Sequence, residues 1–236
     1  MVTTVVFDLD DTLYDEMDFC RSGFQAGAKF IATLTDKYTL DSILATVWDC
    51  FITGDRGSTF DAALQRLGIP YDPDTIDKLV EIYRTHRPTL TLPAESRATL
   101  DALKAEYTLG LLTDGYLPTQ RLKVQALGIE EYFAAIVYTE ELGREFWKPS
   151  RRGFEKLIEL LQERVSNPPL RAEQMVYVAD NDAKDFIAPN QLGMLTVQLT
   201  RPRGLSGRVS NPPLPSAAPK LKIDRIDQLI GLLARC

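Results

Sequence analysis

The sequence predicts an α/β fold, a parallel sheet with helices on both faces that carries one helical insertion. Three observations lead there. From Ala94 onward, helical and strand-like segments alternate, the rhythm of βα units. The strand-like runs, such as Val5-Val6-Phe7 and Met175 to Ala179, are apolar throughout, as in strands buried on both faces. Between the first strand and this alternation lies a long stretch with helical spacing only.

In order, the first strand ends in Asp8-Leu9-Asp10-Asp11-Thr12. Phe19, Phe24, Ala28, Ile31 and Leu34 recur near helical spacing, which predicts a helix over 17–36. Further helices are expected over 42–51, over 59–67 (stopped by Gly68 and Pro70), and from Pro73 with Ile76, Leu79, Val80 and Tyr83 on one face. Arg87 to Pro93 reads as an extended linker, because proline disfavours helix in its predecessor. Residues 1–14 and 91–236 are therefore expected to form the α/β core, and 15–90 a helical domain. In the core, helices are expected over 95–106, 118–127, 149–164 and 184–192, the second and fourth closed by Gly128 and Gly193. Strands are expected over 107–112, 134–138, 175–179 and 194–199. Residues 201–219, rich in proline, read as a loop, followed by an edge strand at 221–226 and a helix at 227–234.

The 236 residues, 44% hydrophobic and 25% charged, suit a large domain or a core with an inserted unit. A net charge of −6 with scattered basic residues argues against a nucleic-acid footprint. No apolar run approaches a membrane span, and Met1-Val2-Thr3-Thr4 lacks a charged leader region, so neither membrane nor secretory routing is expected. Cys20, Cys50 and Cys236 are odd in number and far apart, which suits free thiols in a reducing cytoplasm. His86 is the one histidine, leaving carboxylates to do most acid–base work.

Ligands of open α/β sheets bind outside the carboxyl ends of the strands. Here three strands end in polar clusters: Asp8/Asp10, Thr113-Asp114-Gly115, and Asp180/Asp182/Asp185. If the chain stays extended, Asp8 and Asp10 project to one side. At ~4 Å and an effective dielectric of roughly 20 they repel by about 4 kcal/mol, which a divalent cation relieves. Alone, a D-x-D pattern is also compatible with a solvated turn, Thr113 to Gly115 with a strand-to-helix turn, and Lys148-Pro149 with a helix start. Asp182, three residues before Asp185, reads as a helix cap, and Asn181 as a turn residue.

Taken together, these segments resemble the haloacid dehalogenase superfamily, specifically its phosphatase-type members. The matching motifs are D-x-D-x-T at Asp8 to Thr12, an apolar run with threonine at Leu111-Leu112-Thr113-Asp114-Gly115, Lys148-Pro149, and the acidic Asp180-Asn181-Asp182-Ala183-Lys184-Asp185. They stand in the family's order and span nearly the whole chain. Ala179 replaces the glycine that many members carry before the acidic motif. The resemblance implies a Rossmann-like core, with 15–90 as a helical cap domain of the C1 type. It implies Asp8 as nucleophile, and Mg²⁺ held by Asp8, the Asp10 backbone carbonyl and Asp180. Lys148 and Thr113 would hold the phosphoryl group together with the amides of Asp114 and Gly115. Asp10 would protonate the leaving oxygen and then activate water, a role that asks for a raised pKa. Asp185 would orient Lys148 or metal-bound water. Arg56, His86 and Arg87 are marginal candidates for reading the leaving group.

The implied activity is Mg²⁺-dependent hydrolysis of a small phosphomonoester, a nucleotide monophosphate or sugar phosphate, through an aspartyl-phosphate. The acid two residues after the nucleophile disfavours dehalogenation. A phosphomutase on the same core and a non-catalytic phosphate-binding regulatory protein stand as alternatives.

Overall fold

The computed structural model describes residues 1–164, 169–200 and 217–235. Most of the expected proline-rich loop, 201–216, lies outside the described residues. The sheet contains β1 (Thr4–Phe7), β2 (Thr108–Thr113), β3 (Ala135–Tyr138), β4 (Met175–Ala179), β5 (Leu195–Leu199) and β6 (Leu221–Ile223). Their order is β3-β2-β1-β4-β5-β6, and every pairing is parallel. Val6, Leu112, Val137 and Tyr177 pack on one side against Phe154, Leu157 and Leu161 of α7 (Arg152–Gln162). Residues of the opposite parity, including Val5, Phe7, Leu109, Leu111 and Val178, are also buried. Both faces are covered, which is why these strands show no polar alternation. The sheet is flanked by α5 (Ala94–Lys104), α6 (Leu117–Leu127), α8 (Ile187–Leu192) and α9 (Gln228–Leu233). The result is an α/β, Rossmann-like architecture.

The topology sets the place for chemistry. From β1 the chain builds outward through β2 and β3, then returns to lay β4 on the other side of β1. Such a reversal opens a crevice at the strands' carboxyl ends. Phe7 is level with Leu111 and with Val178, so Asp8 lies one residue short of Thr113 on β2 and of Asp180 after β4.

By backbone packing the chain divides into Met1–Glu16 with Thr91–Cys236, and Met17–Leu90. The helices outside the sheet unit are α1 (Glu16–Ile31, whose first residue belongs to the sheet unit), α2 (Leu40–Thr53), α3 (Thr59–Leu67) and α4 (Pro73–Thr85). Phe24 of α1 meets the rings of Trp48, Phe51, Phe60 and Tyr83 at 4.9 to 6.3 Å, an aromatic core contributed by all four helices. Phe30 is only partly buried. Gly23 and Gly27 lie on the contacting face of α1. A Cβ on Gly27 would come within 2.8 Å of Phe60, and one on Gly23 within 2.6 Å of Tyr83.

Three helices and the edge strand differ from the sequence expectation by three residues or more; α7 begins at Arg152 instead of 149, and β6 ends at Ile223 instead of 226. The first helix stops at Ile31 instead of 36, because Thr33 turns its hydroxyl onto the Phe30 carbonyl at 2.7 Å and the Thr35 hydroxyl accepts from the Lys37 amide. The acidic-motif helix starts at Ile187 instead of 184, with no side-chain cap. Asp182 therefore does not cap it. The segment before it is a turn in which the Asn181 side chain accepts from the Ala183 amide. Among the described residues no helix is long and apolar enough to cross a membrane.

Candidate active site

Lys148 sits at the centre of the charged residues beyond the sheet. Its side chain is 1% exposed, and Nζ lies 2.6 Å from Asp8 Oδ1, 2.8 Å from Asp185 Oδ1 and 3.1 Å from the Tyr177 hydroxyl. Burial opposes an ammonium here, but Asp185 and Asp8 more than offset it, and its pKa is raised. The backbone before α7 anchors this lysine, since the Lys148 amide donates to both carboxylate oxygens of Asp114 at 3.2 and 3.1 Å. Oxygens of Asp8, Asp180 and Asp185 lie within 4.8 Å of one another. The third carboxylate of this group is therefore Asp185, while the Asp10 side chain points into a different network. The Asp8 carboxyl is pushed up to about 7 by burial, with Lys148 pulling down and Asp185 pushing up. Lys184 also pulls the Asp8 carboxyl down, from farther away than Lys148.

The end of β2 is organised by Asp114. Its carboxylate accepts from the Thr139 hydroxyl at 2.8 Å, from the Lys148 amide, and from Lys184 Nζ at 3.3 Å. It therefore ties the β2, β3 and β4 ends together. Thr113, fully buried, accepts from Gln120 Nε2 at 2.6 Å. A hydroxyl carries one donor and two acceptor sites, so this bond leaves the Thr113 proton to donate elsewhere. Gly115 is held at φ 132°, and a Cβ there would meet the Gln120 side chain at 3.0 Å. Glycine is needed both for the turn and for the approach of Gln120.

Asp10 stands just before a tight turn in which Asp11 takes a left-handed φ of 54° and its side chain accepts the Glu16 amide at 3.0 Å. Asp10 Oδ1 accepts from the Tyr14 hydroxyl at 2.6 Å and from Lys123 Nζ at 2.7 Å, and Oδ2 accepts from Gln120 Nε2 at 2.8 Å. Lys123, 2% exposed, also reaches Glu16 at 3.0 Å. Burial alone raises the Asp10 pKa, but Lys123, Tyr14 and Gln120 outweigh it and the net shift is downward. The raised value expected from an acid's role is not what the protein alone sets, because the donors favour the ionised form.

These loops enclose a cavity of about 310 Å³ lined by Asp8, Asp10, Gly115, Trp147, Asp180 and Lys184, among others. That volume suits a small ligand. Arg56, His86 and Arg87 belong to the helical unit. There Arg56 stacks on Phe51 at 5.1 Å, while His86 bonds Ser22 Oγ at 3.0 Å and the Tyr83 carbonyl at 2.8 Å, and Arg87 is exposed. Sequence reasoning missed Tyr14, Glu16, Gln120, Lys123, Trp147 and Tyr177. A signal existed for two of them. Gln120 and Lys123 fall on the same face of α6 as buried Val124 and Leu127, where polar residues are costly unless paired.

Residues 2–193 match the model of haloacid dehalogenase-like hydrolases, well over half the chain. The chain belongs to this family. Within the family it is 29% identical over 207 residues to a glyceraldehyde 3-phosphate phosphatase of Methanocaldococcus jannaschii, covering 85% of this chain and 86% of that one. It is 32% identical over 168 residues to the N-acylneuraminate-9-phosphatase of Rattus norvegicus, covering 63% and 66%. Among solved structures, the HAD-hydrolase YfnB of Bacillus subtilis bound to magnesium superposes with a TM-score of 0.69, covering 98% of each chain at 22% identity. The dehalogenase-like fold expected from the four motifs is thus the fold observed, and the relatives named are phosphatases.

Proposed function

We propose that this haloacid dehalogenase-like hydrolase is a Mg²⁺-dependent phosphatase of the cytoplasm, cleaving a small phosphomonoester through an aspartyl-phosphate on Asp8. The observation that carries the reading is the buried ion-pair triad, with Lys148 Nζ at 2.6 Å from Asp8 and 2.8 Å from Asp185. It holds Asp8, a residue that lines the small cavity, beside a buried cation. The oxygen-only cluster of Asp8, Asp180 and Asp185 fits a hard divalent cation, and the resemblance adds the backbone carbonyl of Asp10 to Asp8 and Asp180 as its ligands. Bound there, Mg²⁺ would neutralise phosphate and nucleophile charge.

The protein's own groups divide the work. An Asp8 oxygen attacks phosphorus as the bond to the leaving oxygen breaks, and Asp10 hands that oxygen a proton. The proton that Asp10 hands over is supplied by the phosphate monoanion as it binds. Lys148 and the Thr113 hydroxyl stabilise the charge spreading over the phosphoryl oxygens. In the second half Asp10 accepts a proton from the attacking water, the Asp8–phosphorus bond breaks, and inorganic phosphate leaves. Asp185 keeps Lys148 in place. The named phosphatase relatives favour hydrolysis over the mutase alternative, and point to sugar phosphates ahead of nucleotides.

The test is phosphate release from a panel of glyceraldehyde 3-phosphate, sugar phosphates and nucleotide monophosphates, with Mg²⁺ or EDTA, for wild type and Asp8→Asn. Turnover that requires Mg²⁺ and vanishes in the variant is expected. Equal release by both proteins would remove Asp8 as nucleophile.

A further inference from the structure

Lys123 is a buried cation to which the reaction described above gives no part. It occupies a face of α6 otherwise given to packing, next to Val124 and Leu127. An ammonium is kept there only if its partners compensate for lost hydration. Those partners are Asp10 Oδ1 at 2.7 Å and Glu16 Oε1 at 3.0 Å. One turn earlier on the same helix, Gln120 donates to Asp10 Oδ2 at 2.8 Å and to Thr113 Oγ1 at 2.6 Å. Two side chains of α6 therefore reach residues from two different strand ends.

Counting lone pairs shows what this arrangement does. Asp10 Oδ1 accepts from both Tyr14 and Lys123, which uses its two acceptor directions. Among the described residues Oδ2 accepts only from Gln120, which leaves one direction on that oxygen for a leaving group. The Gln120 amide meanwhile occupies a lone pair of Thr113, leaving the hydroxyl proton to point away from it. We propose that Lys123 and Gln120 are positioning residues that clamp the Asp10 carboxylate so that Oδ2 exchanges the proton with the leaving oxygen, and that Gln120 at the same time aims the Thr113 hydroxyl. The proposal rests on the phosphatase reading above. Proton transfer to a leaving oxygen depends on the acid's placement to within a hydrogen bond, so a clamp at Oδ1 and Oδ2 acts on rate without touching substrate.

The leaving group separates this role from a merely structural one. Acetate departs from acetyl phosphate without a proton, whereas an alkoxide departing from an alkyl phosphate needs one. The experiment measures kcat/KM in Mg²⁺ for acetyl phosphate and for the alkyl phosphate on which wild type is fastest, in wild type, Lys123→Met, Lys123→Arg and Gln120→Met. Both methionine variants are expected to lose about a hundredfold on the alkyl phosphate and less than about fivefold on acetyl phosphate, with Lys123→Arg recovering part of the loss. Equal losses on both substrates, or none on either, overturn the proposal. If Lys123→Met does not fold, Gln120→Met decides, because it removes no charge. A wild type inactive on both phosphates, or active without Asp8, would instead bring down the phosphatase reading and the clamp with it.

Discussion

The two compact units are held together by opposite chemistry. In the helical unit the centre is aromatic. Phe24 meets four rings, and glycines on α1 let Phe60 and Tyr83 come close. Beyond the strands of the sheet unit, the buried groups are ions. Lys148 and Lys123 are each held between two carboxylates, and Asp114 draws in an amide, a hydroxyl and Lys184. Dispersion and apolar burial are non-directional and degrade in steps, whereas a buried charge whose partner is removed is left with its full desolvation cost. The first unit therefore tolerates what the second cannot. A protein that must manage phosphate charge accepts that fragility at the place where charge is useful.

Four substitutions probe this contrast, beginning with the largest effect. Asp8→Asn should cut metal-dependent phosphate release by roughly three orders of magnitude or more while leaving the melting transition in place. Lys148→Met should lower folding stability by about 3 kcal/mol or more, because Asp8 and Asp185 are left buried without a cation. Urea titration would show this, and added Mg²⁺ should restore part of the loss. A neutral result would mean that the triad is hydrated and the proposed contrast is wrong.

Gly27→Ala tests the aromatic side. Overpacking against Phe60 costs about 1–3 kcal/mol, and the helix preference of alanine returns roughly 0.5–1 kcal/mol. A modest fall in denaturation midpoint with unchanged kcat is expected. The smallest effect belongs to His86→Gln. Loss of the Ser22 and Tyr83 hydrogen bonds should cost about 1 kcal/mol and leave KM unaltered. A KM raised tenfold or more would instead make His86 a substrate contact.

Much of the site was legible because its residues follow directly on strands. Asp8, Thr113 and Asp180 stand at or just past the ends of apolar runs, and parallel register brings such ends level. Lys148 and Asp185 could be read from motif order, and they prove to be neighbours at 2.8 Å. Lys123 could not be read in the same way. It follows no strand and belongs to no short motif, and its partners lie 113 and 107 residues away. The Asp114 side chain was similarly opaque. An aspartate before glycine reads as a turn, and only the folded chain shows it bonding Thr139, Lys148 and Lys184. Local signals misled at residues 32–36 and 184–186, where side chains bonding to nearby backbone or an Asx turn displaced helix, and they also extended α7 and β6 by three residues each.

By itself the sequence determined the parallel α/β sheet, the helical stretch after the first strand, and the set of carboxylates and Lys148 at the strand ends. Periodicity and strand-end chemistry are local, and they survive without knowledge of neighbours. Only the tertiary structure decided which carboxylates each buried lysine meets, and that burial prevails at Asp8 and pushes it up while Lys123, Tyr14 and Gln120 prevail at Asp10 and pull it down. The two aspartates are separated by one residue. Their pKa values shift in opposite directions because a carboxylate's proton affinity depends on burial and on charges within a few ångströms, which chain separation does not encode.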